Sequence, residues 1–338
     1  MPNRLLKTIA TSGLLLLIAS SPASAQSNQR AVLDEILKLY KSYDVVLLGE
    51  QHDGKLSFEF RMALLRHPRF GSIVQDIVIE SANSLYQDLL DDFVLRLKNI
   101  SAGDLQMVWR NTTMPTGVWD PPIYEEFIRA VRTLNASRRL DKRIRLIAGD
   151  PPIDWTKVTS GDQLLKFALQ RDETAYTAIE NESLAKHRKV LVIYGGAHLV
   201  TARVASSPGS TPPTRPTIAT YLKMKYPGKT YSIIPLTARY GSVEEFQAVT
   251  GIRKTPFLLT LDHSPHASLS AKKFFGFLRD ARIGEMMDAI LFFGSAPDAT
   301  VNASPEVEND LDYQNELKRR RDIMSNAVPP NSTLRVVK

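Results

Sequence analysis

The sequence contains no cysteine. That absence excludes disulfides, thiolate metal sites, a cysteine nucleophile, haem attached through C-x-x-C-H, and a lipid-bearing cysteine behind a leader. Long apolar runs are also missing. Leu14 to Ile18 and every later run fall well short of the roughly 20 residues a membrane helix needs, so no integral membrane segment is expected in the mature chain. No G-x-S-x-G elbow and no H-E-x-x-H occurs, which removes the usual serine-hydrolase and zincin signatures. Basic residues exceed acidic ones only mildly, 43 against 36 in 338 residues. The one dense basic run, Lys318-Arg319-Arg320-Arg321, reads as a solvated helix end, and nucleic acid is not an expected partner.

The opening residues read as a leader. Arg4 and Lys7 precede the apolar Leu14 to Ile18, and Ala23-Ser24-Ala25 makes an A-x-A cleavage site. Residues 1–25 are therefore expected to be a cleaved signal peptide, with the mature chain exported to the periplasm or the extracellular space. Residues 30–300 then form one α/β domain, and 301–338 a polar, charged tail that ends disordered from Pro329.

Apolar runs alternate with amphipathic stretches through that domain. Strands are expected from Val45, at Ile77 to Ile79, Ile144 to Ile147, Val190 onward, Thr230 to Pro235 and Ala289 to Phe293. Helices are expected at Arg30 to Tyr40, Leu56 to Arg66, Ser84 to Leu97, Ile123 to Leu134, Asp162 to Lys186, Ile218 to Tyr226, Lys272 to Ile283 and Val307 to Met324. The face of Ser84 to Leu97 that carries Asp88, Asp91 and Asp92 reads as solvated. Ser101 to Pro122 reads as irregular, and the Ser/Pro-rich Ser206 to Pro216 as a loop bordering the site. Runs without polar alternation suit strands covered on both faces. The fold class is thus α/β, a mostly parallel sheet of about six strands with helices on both faces.

Two of these strands end alike. Val45 onward reads VVLLGEQHD, and Val190 onward reads VLVIYGGAHL; each apolar run stops in G-x-x-H. In a parallel sheet ligands gather at the carboxyl ends of strands, so His52 and His198 should meet there although far apart in sequence. Glu50 leaves the same strand as His52, Glu80 closes another, and Asp150 a fourth. Before two prolines, Asp150 reads equally well as a turn former. His67, His187, His263 and His266 lack such a setting and read as packing or surface residues.

The paired motifs Gly49-Glu50-Gln51-His52 and Gly195-Gly196-Ala197-His198, with Glu50 and Glu80, resemble the EreA/ChaN-like superfamily, which joins ChaN-type haem-binding uptake proteins, erythromycin esterases and Tiki/TraB proteins. LLGEQHD with Trp119 and Tyr124 looks most like the ChaN branch. Arg61 and the pair Arg171-Asp172 look like the esterase branch. The resemblance implies one of three activities. They are hydrolysis of a small-molecule ester or related bond, non-covalent haem binding for iron uptake, and metal-dependent hydrolysis of the Tiki type.

The residues themselves suit hydrolysis. A neutral imidazole beside a carboxylate takes a proton from water near neutral pH. His52 is the candidate general base, Glu50 or Glu80 its orienting carboxylate, Arg171 or Arg61 the oxyanion holder, and His198 the acid for the leaving group. Haem would use Tyr194, Tyr124 or a motif histidine. Two histidines and two glutamates could alternatively gather a divalent metal. Expected partners are a small-molecule ligand or haem.

Overall fold

The computed structural model describes residues 22–201, 216–239, 242–278 and 281–327. The leader up to residue 21, most of the loop from Ser206 and the tail from Pro329 lie outside them. Seven strands form one sheet: β1 (Val45–Glu50), β2 (Asp76–Asn83), β3 (Arg145–Asp150), β4 (Val190–Gly195), β5 (Thr230–Leu236), β6 (Phe257–Thr260) and β7 (Ala289–Phe292). Their order is β3-β2-β4-β1-β5-β7-β6. All pairings are parallel except that of β6 with β7.

The non-alternating apolar runs are explained by burial on both sides. Val46 and Leu48 of β1, Ile77 and Ile79 of β2 and Leu191 and Ile193 of β4 join one apolar layer, under helices Pro22–Leu39, Lys55–Leu65, Gln87–Val94 and Pro122–Ala136. Val45, Leu47, Val78, Val190 and Val192 face the other way, against helices Arg171–Glu182, Ile218–Lys225 and Val243–Thr250. Odd and even positions thus meet different layers. A polar residue in the middle of either face would cost burial energy; in β2 the buried polar residues Asp76, Glu80, Ser81 and Asn83 stand toward the ends of the strand.

Register brings the two motifs together. β1 and β4 are neighbours, with Leu47 opposite Val192, Gly49 opposite Tyr194 and Glu50 opposite Gly195; β2, carrying Glu80, flanks β4 on its other side. The chain leaves β1 toward β2 but leaves β4 toward β5. The two connections take opposite faces of the sheet, through Lys55–Leu65 after β1 and Ile218–Lys225 after β4, and the crevice at such a switch point is where sheets of this kind hold ligands. Among the described residues no helix is long and apolar enough to cross a membrane.

Several expected elements differ. The stretch Asp162 to Lys186 breaks into Gly161–Ala168 and Arg171–Glu182, which puts Arg171 and Asp172 in the first turn of a helix aimed at the sheet. Lys272 to Ile283 is not a helix but two four-residue turns, Ala271–Phe274 and Ile283–Met286, joined by a bridge between Ser270 and Arg282. β6 and Val243–Thr250 were not anticipated; β6 is four residues long at the sheet edge, too short for periodicity to register. Within Ser101 to Pro122, Ala102–Arg110 is a regular helix.

Two charged faces expected to be solvated are so only in part: Asp88, Lys318 and Arg321 are exposed. Asp91 is buried and receives Arg145 on both carboxylate oxygens. In the helix Leu311–Ala327, Arg320 is also buried. It donates to Arg110 O and Asn111 Oδ1, each at 2.7 Å, while Arg319 donates to Trp155 O and Val158 O. Arg320 thus fastens the helix to the start of the segment that runs on to Trp119, and Arg319 fastens it to the segment after β3. Tyr313 adds a hydrogen bond to Asp120 Oδ1 at 2.9 Å.

The motif glycines have a packing cause. A Cβ on Gly49 would lie 2.6 Å from Pro235 Cδ and 3.3 Å from Ile233 O in the adjoining strand. Neither neighbour is the free end of a flexible side chain. Gly49→Ala is therefore expected to lower the unfolding free energy by about 1–3 kcal/mol, measured by urea denaturation; an unchanged midpoint would mean that β5 yields freely.

Candidate active site

Glu50 ends β1 and His52 follows two residues later, so their side chains meet: His52 Nδ1 lies 3.1 Å from Glu50 Oε1. The carboxylate fixes the ring with Nδ1–H toward it and Nε2 outward. The other oxygen of Glu50 is 2.9 Å from Arg61 Nη1, an ion pair without hydrogen-bond alignment. Arg61 is buried on the helix Lys55–Leu65 that follows the motif.

His198 repeats the arrangement from β4. Its Nδ1 is 2.9 Å from Asp172 Oδ1, which also accepts Ile218 N–H at 3.1 Å. Glu80 stands between the two rings, with Oε2 3.9 Å from His52 Nε2 and Oε1 3.6 Å from His198 Nε2. Gly195 N–H donates to Glu80 Oε2 at 2.6 Å, and Arg171 Nη2 pairs with Oε1. A Cβ on Gly195 would sit 3.2 Å from the His52 ring. The second motif thus needs its glycine to let the histidine of the first approach.

Arg171 is fully engaged. Its Nε is 3.2 Å from Asp150 Oδ1 and its Nη1 contacts Met114 Sδ at 3.4 Å. Asp150 in turn accepts Thr113 N–H and Oγ1–H, each at 2.6 Å. Trp119 packs edge-on to His52 with ring centres 4.6 Å apart and to Tyr124 at 4.9 Å.

Electrostatics separates these groups. Burial pushes the Glu80 carboxyl up, but Arg171 and the two imidazoles outweigh it and hold its pKa at about 2. Glu80 is therefore a fixed negative charge and a poor base. Burial lifts Asp150 to about 6, the opposing pull of Arg171 and Thr113 being insufficient. For His52 burial favours the neutral ring, yet Glu80 and Glu50 prevail and its pKa is raised from 6.5. His198 is raised likewise, burial being offset by Asp172 and Glu80. Both rings reach solvent, with side chains 32% and 22% exposed.

All six residues proposed for catalysis from the sequence, Glu50, His52, Arg61, Glu80, Arg171 and His198, belong to this one connected network. The arginines stand differently from expectation. Arg61 is paired with Glu50, and Arg171 with Glu80 and Asp150, so the charge of each guanidinium is already matched by a carboxylate. Sequence reasoning gave no role to Thr113 or Met114, and did not carry Asp172 to His198. It left Asp150 between a site role and a turn. The phrase AGD closing β3, parallel to LGE closing β1, is the signal that favours the site role.

Neither the two tyrosines proposed as haem ligands nor the residues proposed to hold a metal suit that role. Tyr194 is 1% exposed; its ring is edge-on to His198, and its hydroxyl, which has no hydrogen-bond partner, lies where a Cβ of Gly149 would be, 2.0 Å away. Tyr124 is buried and its hydroxyl accepts Asp53 N–H at 3.1 Å. An iron ligand must face open space for the macrocycle, and these two do not. Glu50, His52 and Glu80 can each bring one atom within 4.8 Å of the others. Their carboxylates, however, are already neutralised by Arg61 and Arg171 and hydrogen-bonded on the remaining oxygens. A dication would lie against two guanidiniums, so this donor set does not fit a divalent metal.

A cavity of about 620 Å³ lies at the opposite ends of the strands, beside Tyr43, Tyr231 and Asp288. Asp262 and His263 there are almost fully exposed. The site is assigned on chemistry rather than on volume.

Known structures share the architecture. A Bacillus cereus protein is 12% identical, with a TM-score of 0.56 over 82% of this chain and 95% of its own. A succinoglycan biosynthesis protein is 11% identical, TM-score 0.54, over 84% and 100%. An erythromycin esterase mutant in its open conformation is 12% identical, TM-score 0.54, over 80% and 96%. No family model and no curated protein matches the chain. The expected α/β fold is thereby borne out: the chain shares its fold with these proteins, an erythromycin esterase among them.

Tyr194→Phe separates a packing role from a ligand role. Removing an unpartnered buried hydroxyl should leave stability unchanged or raise it by about 1 kcal/mol, read from urea unfolding. A loss of about 2 kcal/mol or more would show that the hydroxyl has a partner.

Proposed function

We propose that this chain is an exported hydrolase of a small-molecule ester, lactone or related bond, with His52 as general base. One observation carries the reading: two imidazoles, each held at Nδ1 by its own carboxylate, turn Nε2 toward the same buried Glu80 at 3.9 and 3.6 Å. That is a base and an acid oriented toward one volume at the strand ends.

In the reaction a water molecule attacks the carbonyl carbon and gives its proton to His52 Nε2. Glu50 stabilises the imidazolium formed. The tetrahedral oxyanion collapses, the carbon–oxygen bond to the leaving group breaks, and protonated His198 supplies the proton that group takes. Glu80 supports both imidazolium forms as a permanent charge. With both arginines bound to carboxylates, the oxyanion is stabilised by the imidazolium charge rather than by a guanidinium. Export follows from the leader Met1 to Ala25, and secretion assays on the full chain test it separately.

His52→Ala should abolish turnover of p-nitrophenyl esters or lactones while leaving thermal unfolding in place; a variant as active as the parent would sink the proposal. The pH profile gives a second check. His52 works only when neutral and its pKa is raised above 6.5, so kcat/KM should fall as pH drops through a value above 6.5. It should fall again at higher pH as His198 loses its proton. Glu50→Gln removes one of the charges that raise His52, and the acid limb should move to lower pH. An acid limb that stays in place counts against Glu50 as the orienting group. A haemin titration tests the alternative: a saturable Soret shift lost in His52→Ala, without esterase activity, would replace hydrolysis by haem binding.

A further inference from the structure

At the ends of the strands opposite the active site, the segment before β3 forms a tip unlike the rest of the surface. It reads Ser-Arg-Arg-Leu-Asp-Lys-Arg from Ser137 to Arg143, and a single 3-10 turn, Leu140–Lys142, presents Leu140 with 59% of its area exposed. The flanking Arg139 and Lys142 side chains are 86% and 75% exposed. An isolated exposed leucine is ordinary; one ringed by cations is not.

The cations extend onto the adjoining turn. Arg143 donates to Leu95 O at 2.6 Å, and Arg132 donates to Leu97 O and Lys98 O at 2.9 Å. Arg138 donates to Gly71 O at 2.6 Å. These three guanidiniums are satisfied by carbonyl oxygens, which accept hydrogen bonds without cancelling charge. Arg96 and Lys98 share Asp92, while Arg139 and Lys142 share Asp141. Positive charge therefore remains in excess around Leu140.

We propose that this tip docks the protein on an anionic phospholipid bilayer, with Leu140 entering the headgroup region and Arg139, Lys142 and their neighbours meeting lipid phosphates. Basic residues gain about fivefold in binding each near an anionic membrane, and an apolar side chain among them adds the part that salt does not screen. A nucleic acid would take the charge but has no use for Leu140, and no aromatic ring is exposed beside it to stack on a base. Docked this way, the crevice at the carboxyl ends of the strands faces away from the bilayer into water.

Vesicle co-sedimentation of the purified full chain tests this, using phosphatidylcholine alone and a roughly 7:3 mixture with phosphatidylglycerol at about 0.1 M salt. Binding should occur only to the mixture. Both Leu140→Asp and the pair Arg139→Glu with Lys142→Glu should reduce it about tenfold or more. Because these side chains are exposed, the variants should unfold at the parent's temperature. Leu140→Trp should show a blue-shifted emission on the mixed vesicles. Absence of binding overturns the proposal. So does vesicle binding that survives Leu140→Asp and is matched on heparin, which would make the tip a general polyanion surface.

Discussion

The candidate site depends on one buried carboxylate. Glu80 is 2% exposed yet ionised, and a charge out of water persists only when partners replace its hydration. Arg171 and Gly195 N–H supply that replacement, and each imposes a requirement of its own. Arg171 must reach the sheet, so the chain breaks after Ala168 and starts a new helix at Arg171. Its remaining nitrogens need Asp150, and Asp150 needs Thr113. The Thr113 segment continues to Trp119, which closes over His52. A helix break, a strand end and a covering loop are thus linked by the need to keep one charge satisfied.

The same carboxylate explains the spacing of the motifs. Glu80 lies on β2, beside β4 and one strand from β1, so groups that follow β4 and β1 come within reach of its two oxygens. Gly-x-x-His provides those groups after a residue that leaves room. At Gly49 the room is taken by Pro235, and at Gly195 by the His52 ring itself. The glycines are there for close approach; neither has the positive φ that would require glycine for its backbone conformation.

Much of this was legible in the sequence because burial on both faces of β1, β2 and β4 leaves an unmistakable apolar run, and because each run ends abruptly in a polar residue. That was enough for the fold class and for the convergence of His52 and His198 beside Glu50 and Glu80. Roles were less legible than positions. Nothing in the sequence states that Arg171 would be consumed by Glu80 and Asp150, since pairing across strands has no local spacing. The charged faces misled for a related reason. Asp91 and Arg320 look solvated on a helical wheel, but each meets a partner from a distant element, Arg145 in one case and the Arg110–Asn111 backbone and side chain in the other. β6 escaped because four residues at an edge carry too little pattern.

The engagement of both arginines constrains the chemistry. A developing oxyanion needs positive charge, and the charge left to supply it belongs to the imidazoles. Two imidazoles that share Glu80 cannot gain protons independently: the first proton is drawn in by the carboxylate, and the second must enter against the first. The singly protonated pair is therefore favoured over a range of pH, and it is the form in which one ring can accept a proton while the other donates. Glu80, too weak a base to take the water's proton itself, has the effect of holding the pair in that form. Glu50 and Asp172 each hold one of the rings. Glu50 shares its charge with Arg61, whereas among the described residues Asp172 accepts from His198 and the Ile218 amide. Each carboxylate raises the ring it holds, and in the proposed hydrolysis His198 carries the resident proton while His52 is the base.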